Sequence, residues 1–330
     1  MRLATYNVEW FANLFDNDNA LMVDNGPSGR FEVRRGDQID ALGAVFTALD
    51  ADGILIVEAP NTGRKQNSVV ALENFARYFS LRQSAAVSGF SNETQQEISL
   101  LYDPALLKAR HDPQSSPAAP QFDASFHIDL DIDAHADTIR FSKPPLELAV
   151  ETASGTAFRL IGAHLKSKAP HGARNEAAIM RLSIANRRKQ LAQAVWLRAR
   201  ISDHLARGDN LILMGDLNDG PGLDEYENLF GRSSVEILLG DDLYDPHARQ
   251  ALQRKLGASP TTARFNLPGS ERFLQALLDY VMISQTLMAK RPAWRIWHPF
   301  DDARCYRDPN LRDALLTASD HFPVTLDIDI

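Results

Sequence analysis

Residues that could bind a metal ion and move protons follow several apolar, strand-like runs of this chain. Asn7 follows Leu3–Tyr6, Glu58 follows Ile54–Val57, and His164 also ends an apolar run. A carboxylate buried at a strand end, such as that of Glu58, is costly unless a cation accompanies it. The sequence therefore predicts a cation beside Glu58.

A second group follows the run Leu211–Met214. Gly215 permits close backbone approach, and the alternation of Asp216 and Asn218 places both side chains on one face if the strand persists. A strand-ending turn with local side-chain hydrogen bonds explains the same pattern equally well.

A third group pairs an acid with an imidazole. Asp279 lies inside the strand-like LLDYVMIS, and Asp320 and His321 precede the run Phe322–Ile328. A buried strand carboxylate often orients an imidazole, so His321 is the predicted partner of Asp279, although a purely structural pair fits as well. Adjacent Ser319, Asp320 and His321 cannot form a serine-hydrolase triad.

Together these side chains predict metal-assisted phosphoryl chemistry. Oxygen ligands without thiolates suit Mg²⁺ or Mn²⁺, the metal offsets phosphate charge, and histidines transfer protons.

The elements that must position these residues alternate between strands and helices, which indicates an α/β fold. The predicted strands are Arg2–Asn7, Gly53–Glu58, Glu97–Tyr102, Leu146–Glu151, Phe158–His164, Asn210–Asp216, Leu277–Ser284 and Phe322–Ile328. The predicted helices are Gly36–Leu49, Asn67–Phe79 and Asn175–Leu205.

An internal similarity suggests two facing sheets. RLATYNV followed by DGILIVEAPN in the first half is echoed by RLIGAHL followed by DNLILMGDLN in the second, at almost the same spacing. The polar strand ends of both halves are expected at one edge, where α/β proteins form their sites.

Composition excludes several classes of protein. The 330 residues are 44% hydrophobic and 24% charged, which is ordinary globular composition, and no apolar run approaches the length of a membrane span. The single Cys305 excludes an intrachain disulfide framework and a thiolate-rich zinc site. With no basic-then-apolar leader at the N-terminus, a cytoplasmic location is predicted. The net charge of −8 argues against binding nucleic acid by bulk charge, but permits a local basic groove or a bound metal.

Six motifs in order carry a resemblance to a known family. TYNVEWF, ILIVEAPN, GAHLKSK, LILMGDLND, LLDYVMIS and SDHFPV span residues 5 to 324. The chain resembles the endonuclease/exonuclease/phosphatase superfamily, which has the deoxyribonuclease-I-like fold. The resemblance implies one domain over residues 1–330, a four-layer α/β/β/α sandwich with its site where the two sheets open.

The resemblance also implies a role for each motif residue. Glu58 is similar to the family's principal metal carboxylate, Asn7 to its neighbour in metal or phosphate binding, and Asp320 to the second metal-side acid. Mg²⁺ or Mn²⁺ is the implied cofactor.

On the catalytic side, His164 matches the histidine that contacts the phosphate and assists the leaving group. Asp216 matches the residue that activates or positions the attacking water, and Asn218 the phosphate-binding asparagine. His321 resembles the catalytic histidine, oriented by Asp279.

Three departures weaken any case for abasic-site repair. Val57 stands where the family usually has Gln, and Leu217 stands where an aromatic residue is usual. No residue matches the active-site Tyr of abasic-site endonucleases.

Basic residues follow His164 and suggest substrate contacts. Lys166 is predicted to bind substrate, while Lys143 in FSKPPLEL is a candidate phosphate neighbour. The seven-residue spacing of Arg174, Arg181 and Arg188 predicts one stripe of a helix, either a phosphate-binding face or a solvated one.

The resulting hypothesis is a Mg²⁺-dependent phosphodiesterase, a nuclease of endo or exo action with nucleic acid as substrate. A phosphatase, or a phosphodiesterase of lipid or inositol headgroups, uses the same chemistry and is the alternative. A non-catalytic binding module is the third possibility, against which the intact set of acids and histidines argues. The sequence indicates no oligomeric state.

Overall fold

Two six-stranded β-sheets packed face to face form the centre of the molecule. The computed structural model describes residues 1–130, 137–170, 172–220, 231–253, 259–267 and 272–330. The strands within these residues, in chain order, are β1 Arg2–Asn7, β2 Gly53–Ala59, β3 Ala85–Ser88, β4 Glu97–Tyr102, β5 Leu107–His111, β6 Phe126–Ile128, β7 Asp137–Ile139, β8 Leu146–Thr152, β9 Ala157–His164, β10 Leu211–Asp216, β11 Leu243–Tyr244, β12 Ala263–Asn266, β13 Phe273–Ala276, β14 Asp279–Ser284, β15 Ala293–Ile296 and β16 Val324–Asp327.

The first sheet has the strand order β15-β16-β1-β2-β4-β3, and the second has the order β11-β14-β10-β9-β8-β5. The strands β12–β13 and β6–β7 form two separate antiparallel pairs. The facing sides of the two large sheets share an apolar core that includes Leu3, Leu55, Leu148, Leu160 and Ile212. This shared core supports the proposal of a single domain over residues 1–330.

Helices cover the outer faces of both sheets. In the described residues they are α1 Arg35–Leu49, α2 Ser68–Tyr78, α3 Glu176–Ala206, α4 Ser234–Leu239, α5 Pro246–Leu252, α6 Ala303–Arg307 and α7 Pro309–Ala318, with 3₁₀ turns at Phe11–Leu14 and Gln285–Lys290. Phe46 of α1 and Phe75 of α2 belong to the core outside the first sheet, and Trp196 of α3 belongs to the core outside the second. The four-layer α/β/β/α sandwich is therefore confirmed.

Each sheet has a parallel pair of strands at its centre. β1 pairs with β2, and Asn7 lies opposite Val57. β9 pairs with β10, and His164 lies opposite Asp216. The carboxyl ends of parallel strands lie at the same edge of a sheet. The two similar halves of the chain therefore bring their polar strand-end residues together, as predicted.

Two backbone features set the direction of site residues. The pairing of β2 with β4 shifts register between Val57 and Ala59, and Glu58 between them has a φ of 61°. Such a bulge re-aims one side chain out of the regular alternation. Gly215 has a φ of 135°, and a Cβ there would lie 2.1 Å from the Ala163 carbonyl oxygen, so only glycine fits immediately before Asp216.

Several predicted bounds were wrong, for identifiable reasons. The final strand begins at Val324, because Pro323 has no N–H to donate to a neighbouring strand. Helix α3 begins after Asn175, whose side chain caps it by accepting from the Ala178 N–H. Arg174 therefore lies outside the helix and does not extend the predicted stripe. None of the helices in the described part of the chain is long and apolar enough to cross a membrane.

Candidate active site

The predicted site residues converge on one cavity of about 1190 Å³ at the edge where the two sheets open. Those that line it are Asn7, Glu58, His164, Lys166, Asp216, Asn218, Asp320 and His321. Asp279 lies directly behind His321. The structure thus brings together the nine residues predicted to be catalytic, substrate-binding or metal-binding, and the candidate phosphate neighbour Lys143 also lines the cavity.

His321 and Asp279 form a buried pair. The imidazole Nδ1 lies 2.7 Å from Asp279 Oδ2, which leaves Nε2 for the cavity. Burial opposes the charged form, but Asp279, with Asp216 and Asp320 nearby, raises the pKa of His321 well above its ordinary value. The surroundings of His321 therefore favour its charged form.

Thr262 ties this pair to the hairpin β12–β13. Its buried hydroxyl oxygen accepts from the Leu278 N–H at 3.0 Å and the Asp279 N–H at 2.9 Å. Its carbonyl oxygen accepts from the Phe322 N–H. One residue thereby connects the backbone beside Asp279 with the backbone beside His321.

Asp216 lines the cavity, and amide groups hold its carboxylate in place. Its Oδ2 accepts from Asn7 Nδ2 at 3.0 Å and Asn218 Nδ2 at 3.1 Å, and its Oδ1 accepts from the Asn218 backbone N–H at 2.7 Å. Burial raises the pKa of Asp216 to about 7, against the opposing charge of His321 and these hydrogen bonds. The carboxylate can therefore accept a proton near neutral pH.

Glu9, Glu58 and Asp320 form a group of neighbouring acids. Burial, with repulsion from Asp320, raises the pKa of Glu9 to about 7 even though Arg30 pairs with it. Burial likewise raises the pKa of Glu58, whose Oε2 accepts from Gln96 Nε2 at 2.6 Å. Both shifts mean that ionisation of these carboxyl groups is unfavourable in the protein alone, chiefly because they are removed from water.

The residues predicted to bind the metal fit a hard divalent cation. Asn7 Oδ1 is buried and accepts no hydrogen bond, which leaves an oxygen ligand beside the acids. Among the described residues, no group of three His, Cys, Asp or Glu side chains lies close enough together to bind a metal ion without other ligands. Mg²⁺ keeps several waters and uses one or two carboxylates plus substrate phosphate, so a ligand set of Asn7, Glu58 and Asp320 suits it.

His164 differs from His321 in its nearest charged partner, which is a lysine. Lys143 Nζ lies 3.2 Å from Nδ1 and 3.3 Å from Nε2 of the ring, and 3.8 Å from Glu58 Oε1. The Asp216 carboxylate is farther from the ring, with Oδ2 3.6 Å from His164 Nε2. Burial, together with Lys143, lowers the pKa of His164 well below its ordinary value, which favours the neutral ring.

The two lysines after His164 occupy different environments. Lys168 Nζ donates to Asp219 Oδ1 at 2.7 Å. Lys166 also lines the cavity, and burial together with Lys189 lowers its pKa. Lys166 is thus the better placed of the two to contact substrate.

Sequence reasoning missed Glu9, Gln96 and Thr262. Glu9 follows Asn7 at the same two-residue spacing that relates Asp216 to Asn218, so that alternation could have identified it. Gln96 and Thr262 carry no comparable signal, because their contacts depend on chain segments brought together only by folding.

Solved structures of similar fold are DNA-processing proteins. An AP endonuclease from Archaeoglobus fulgidus has a TM-score of 0.56 at 12% identity, covering 100% of both chains. The 3′ phosphatase NExo from Neisseria, bound to a product DNA hairpin, has a TM-score of 0.52 at 16% identity, again covering 100% of both chains. D. rerio TDP2, complexed with single strand DNA product, has a TM-score of 0.51 at 12% identity, covering 100% of this chain and 99% of that one.

These similarities show that the chain has the deoxyribonuclease-I-like fold. The chain matches no protein-family model and no curated protein.

Proposed function

We propose that this chain, built on the deoxyribonuclease-I-like fold, is a divalent-metal-dependent phosphodiesterase that hydrolyses nucleic acids. The observation that carries the proposal is a single cavity lined by His321, which is hydrogen-bonded to Asp279, by the amide-held Asp216, and by the neighbouring acids Glu9, Glu58 and Asp320. The solved structures of similar fold include an endonuclease, a phosphatase and a protein with a DNA product, which supports this choice of chemistry.

Asp216 acts on the attacking water in this proposal. Its pKa of about 7, raised by burial, suits a general base at neutral pH. The amides of Asn7 and Asn218 fix the direction of its carboxylate. The water is thereby oriented toward the phosphorus before the reaction begins.

His321 and Lys143 stabilise charge on the phosphate. The Nε2–H of a charged His321 is free of Asp279 and can donate to a phosphoryl oxygen. Lys143 supplies a second positive charge and holds the neutral His164 in place. Asn218 is the proposed phosphate-binding asparagine, but its amide nitrogen already donates to Asp216 Oδ2 and to the Leu165 carbonyl oxygen, so a phosphate oxygen would have to replace one of these acceptors.

Asn7, Glu58 and Asp320 would hold Mg²⁺ or Mn²⁺, with Glu9 beside them. The bound ion would neutralise phosphate charge and polarise the phosphorus–oxygen bonds. Burial, with a smaller contribution from the neighbouring Asp320, raises the pKa values of Glu9 and Glu58, and a bound cation would favour their ionised forms.

A panel of phosphoesters with and without metal tests the proposal. We expect dialysis against EDTA to abolish hydrolysis and Mg²⁺ or Mn²⁺ to restore it. The panel contains DNA and RNA in single- and double-stranded form, bis-p-nitrophenyl phosphate, inositol phosphates and sphingomyelin. Full activity in EDTA contradicts the metal assignment, while selective cleavage of inositol phosphates or sphingomyelin assigns the chain to the headgroup alternative. Inactivity on every compound favours the binding-module alternative.

A further inference from the structure

Trp10 is an exposed tryptophan in the wall of the active-site cavity. It follows Glu9 in the chain and therefore lies beside the acids Glu9, Glu58 and Asp320, on what we call the metal side of the cavity. Trp10 is 45% exposed, although a large aromatic ring gains free energy when it leaves water. The indole therefore offers a favourable contact to a ligand in the cavity.

The backbone of Trp10 has a conformation that favours glycine. Its φ of 60° and ψ of 26° are left-handed, and a bulky side chain is rare there because its Cβ approaches the following carbonyl group. Residues held in this way cost free energy and cluster at functional sites. A function of the indole in the cavity would explain why this turn contains tryptophan and not glycine.

Glu9 and Arg30 fix the orientation of the indole. The Trp10 Nε1–H donates to Glu9 Oε1 at 3.0 Å. The other oxygen of this carboxylate pairs with Arg30 Nη1, and Arg30 Nη2 donates to the Leu316 carbonyl oxygen at 3.2 Å. An indole that is already held in one orientation loses little freedom when a ligand binds to it.

The backbone of Gly29 covers one face of the indole. A Cβ at Gly29 would lie 2.8 Å from Trp10 Cγ and 3.1 Å from Trp10 Cδ2. Each of these two carbons is bonded to three heavy atoms in the ring plane, so contact with both is made over a face of the ring. Asn13 Nδ2 donates to the Ser28 carbonyl oxygen at 2.9 Å, which holds the segment of Gly29 in place. The opposite face of the indole is therefore the one open to a ligand.

Basic side chains line the same cavity as this open face. Lys143 and Lys166 are part of the wall, and each is a potential phosphate contact. Proteins that bind single-stranded nucleic acid combine such cations with aromatic side chains on which bases stack. A nucleobase presents a flat π face to the indole, whereas an acyl chain or an inositol ring does not. The geometry therefore favours a base as the group that Trp10 contacts.

We propose that Trp10 stacks on an unpaired base of a nucleic-acid substrate, on the metal side of the cavity. The inference rests on the proposed phosphodiesterase function. The base would lie against the open face of the indole, while Glu9 and Gly29 keep the ring from turning away. Trp10 is in this proposal a substrate-binding residue and takes no part in proton transfer.

Two fluorescein-labelled oligonucleotides of equal charge test the proposal. A thymidine decamer and a decamer of abasic tetrahydrofuran residues, both with phosphorothioate linkages, are compared by fluorescence anisotropy in Mg²⁺. The wild type should bind the thymidine decamer about tenfold more tightly, equivalent to about 1.4 kcal/mol. Trp10→Leu should bind the two decamers within about twofold of each other. Phe31→Leu, which replaces a 75% exposed ring outside the cavity wall, is the matched control and should keep the wild-type preference.

Tryptophan fluorescence adds a measurement on the wild type that needs no variant to fold. Trp196 and Trp297 are buried, so Trp10 is much more accessible than either. An unlabelled thymidine decamer should quench the emission, because a stacked base quenches an indole, and the abasic decamer should not. Equal affinity of the wild type for both decamers, an equal loss for both in Trp10→Leu, or quenching that persists in Trp10→Leu overturns the stacking role.

The same measurements separate this inference from the proposed function. Base-dependent binding without hydrolysis of any panel compound overturns the phosphodiesterase and leaves the role of Trp10 standing. Hydrolysis of DNA or RNA without base-dependent binding overturns the role of Trp10 alone. Tighter binding to sphingomyelin vesicles than to the thymidine decamer, with a blue shift of the emission that Trp10→Leu abolishes, also overturns it, in favour of a lipid surface.

Discussion

At the residue scale, the pKa values of the two histidines of the site are shifted in opposite directions because their surroundings differ. Asp279 raises the pKa of His321, whereas burial and the neighbouring Lys143 lower the pKa of His164. The charged form is therefore favoured at His321 and the neutral form at His164, although both rings line one cavity. Environment, and not residue type, divides their roles.

Substitutions in the His321–Asp279 pair test whether the two residues act together. His321→Ala should lower kcat by roughly 10²–10⁴, and Asp279→Asn should also be strongly impaired because an amide can present a donor where a carboxylate accepts. The double variant should be little worse than His321→Ala, since parts of one catalytic unit are not additive. Multiplicative losses in steady-state kinetics, with both single variants folded, would show that the residues work separately.

Lys166 should contribute to the salt dependence of binding. Replacing Lys166 with Ala should weaken nucleic-acid binding and reduce the slope of log K against log salt by about 0.7 for a single strand or about 0.9 for B-DNA. Lys108→Ala on the edge strand β5 is the control and should leave the slope unchanged. Equal slopes for wild type and Lys166→Ala in a salt titration would remove Lys166 from the phosphate-binding residues.

At the element scale, the hairpin β12–β13 matters because it fixes the backbone on both sides of the catalytic pair. Ala263 forms an isolated bridge with His321, and the neighbouring Thr262 bonds to three backbone N–H groups. We therefore propose Thr262 as a positioning residue that acts through Asp279 and His321, without contacting the substrate itself.

Thr262→Val keeps the side-chain shape but removes the acceptor for the Leu278 and Asp279 N–H groups. We expect kcat to fall about 10- to 100-fold, because small misplacements of catalytic groups are costly, while KM changes little. Unsatisfied buried donors should also cost about 1–3 kcal/mol of stability. Thr262→Ser restores the hydroxyl and should recover kcat, whereas a Ser variant as impaired as Val would indicate that the methyl group matters instead.

At the scale of the whole molecule, the central strands were predictable and the edges were not. β1 and β4 have the predicted bounds, because most of their residues are apolar or β-branched and polar residues stand at both ends. β12 and β13 are four residues each and partly exposed. Their sequences therefore show no alternation of apolar and polar residues long enough to predict a strand. The motif residues were identified from strand ends and family resemblance, but Gln96 reaches Glu58 only because β4 pairs with β2 in the folded protein.

Asp219 follows the strand β10 near the active-site cavity, and its carboxylate contacts residues of the helices that cover the second sheet. The carboxylate lies 2.7 Å from Lys168 Nζ and 2.8 Å from Arg187 Nη1, and accepts from the Ser234 N–H at the start of α4. Burial opposes ionisation, but the two cations outweigh it and lower the pKa of Asp219 below its ordinary value. A lowered carboxyl pKa stabilises the fold above the unfolded-state pKa, and that contribution is lost as the pH falls through the folded-state value.

Asp219→Asn should therefore destabilise the protein by about 3 kcal/mol at pH 7, because it removes a negative charge that the buried Arg187 and Lys168 contact. The difference from wild type should shrink as the pH falls below the unfolded-state pKa of about 3.9 toward the lower folded-state pKa, where the wild-type carboxyl also takes up a proton. Urea unfolding between pH 3 and pH 7 measures both effects. Asp313→Asn, which replaces a carboxylate that is 71% exposed on α7, is the control and should change stability by less than about 0.5 kcal/mol. An equal cost for Asp219→Asn at both ends of the pH range would mean that shape, and not charge, makes this residue necessary.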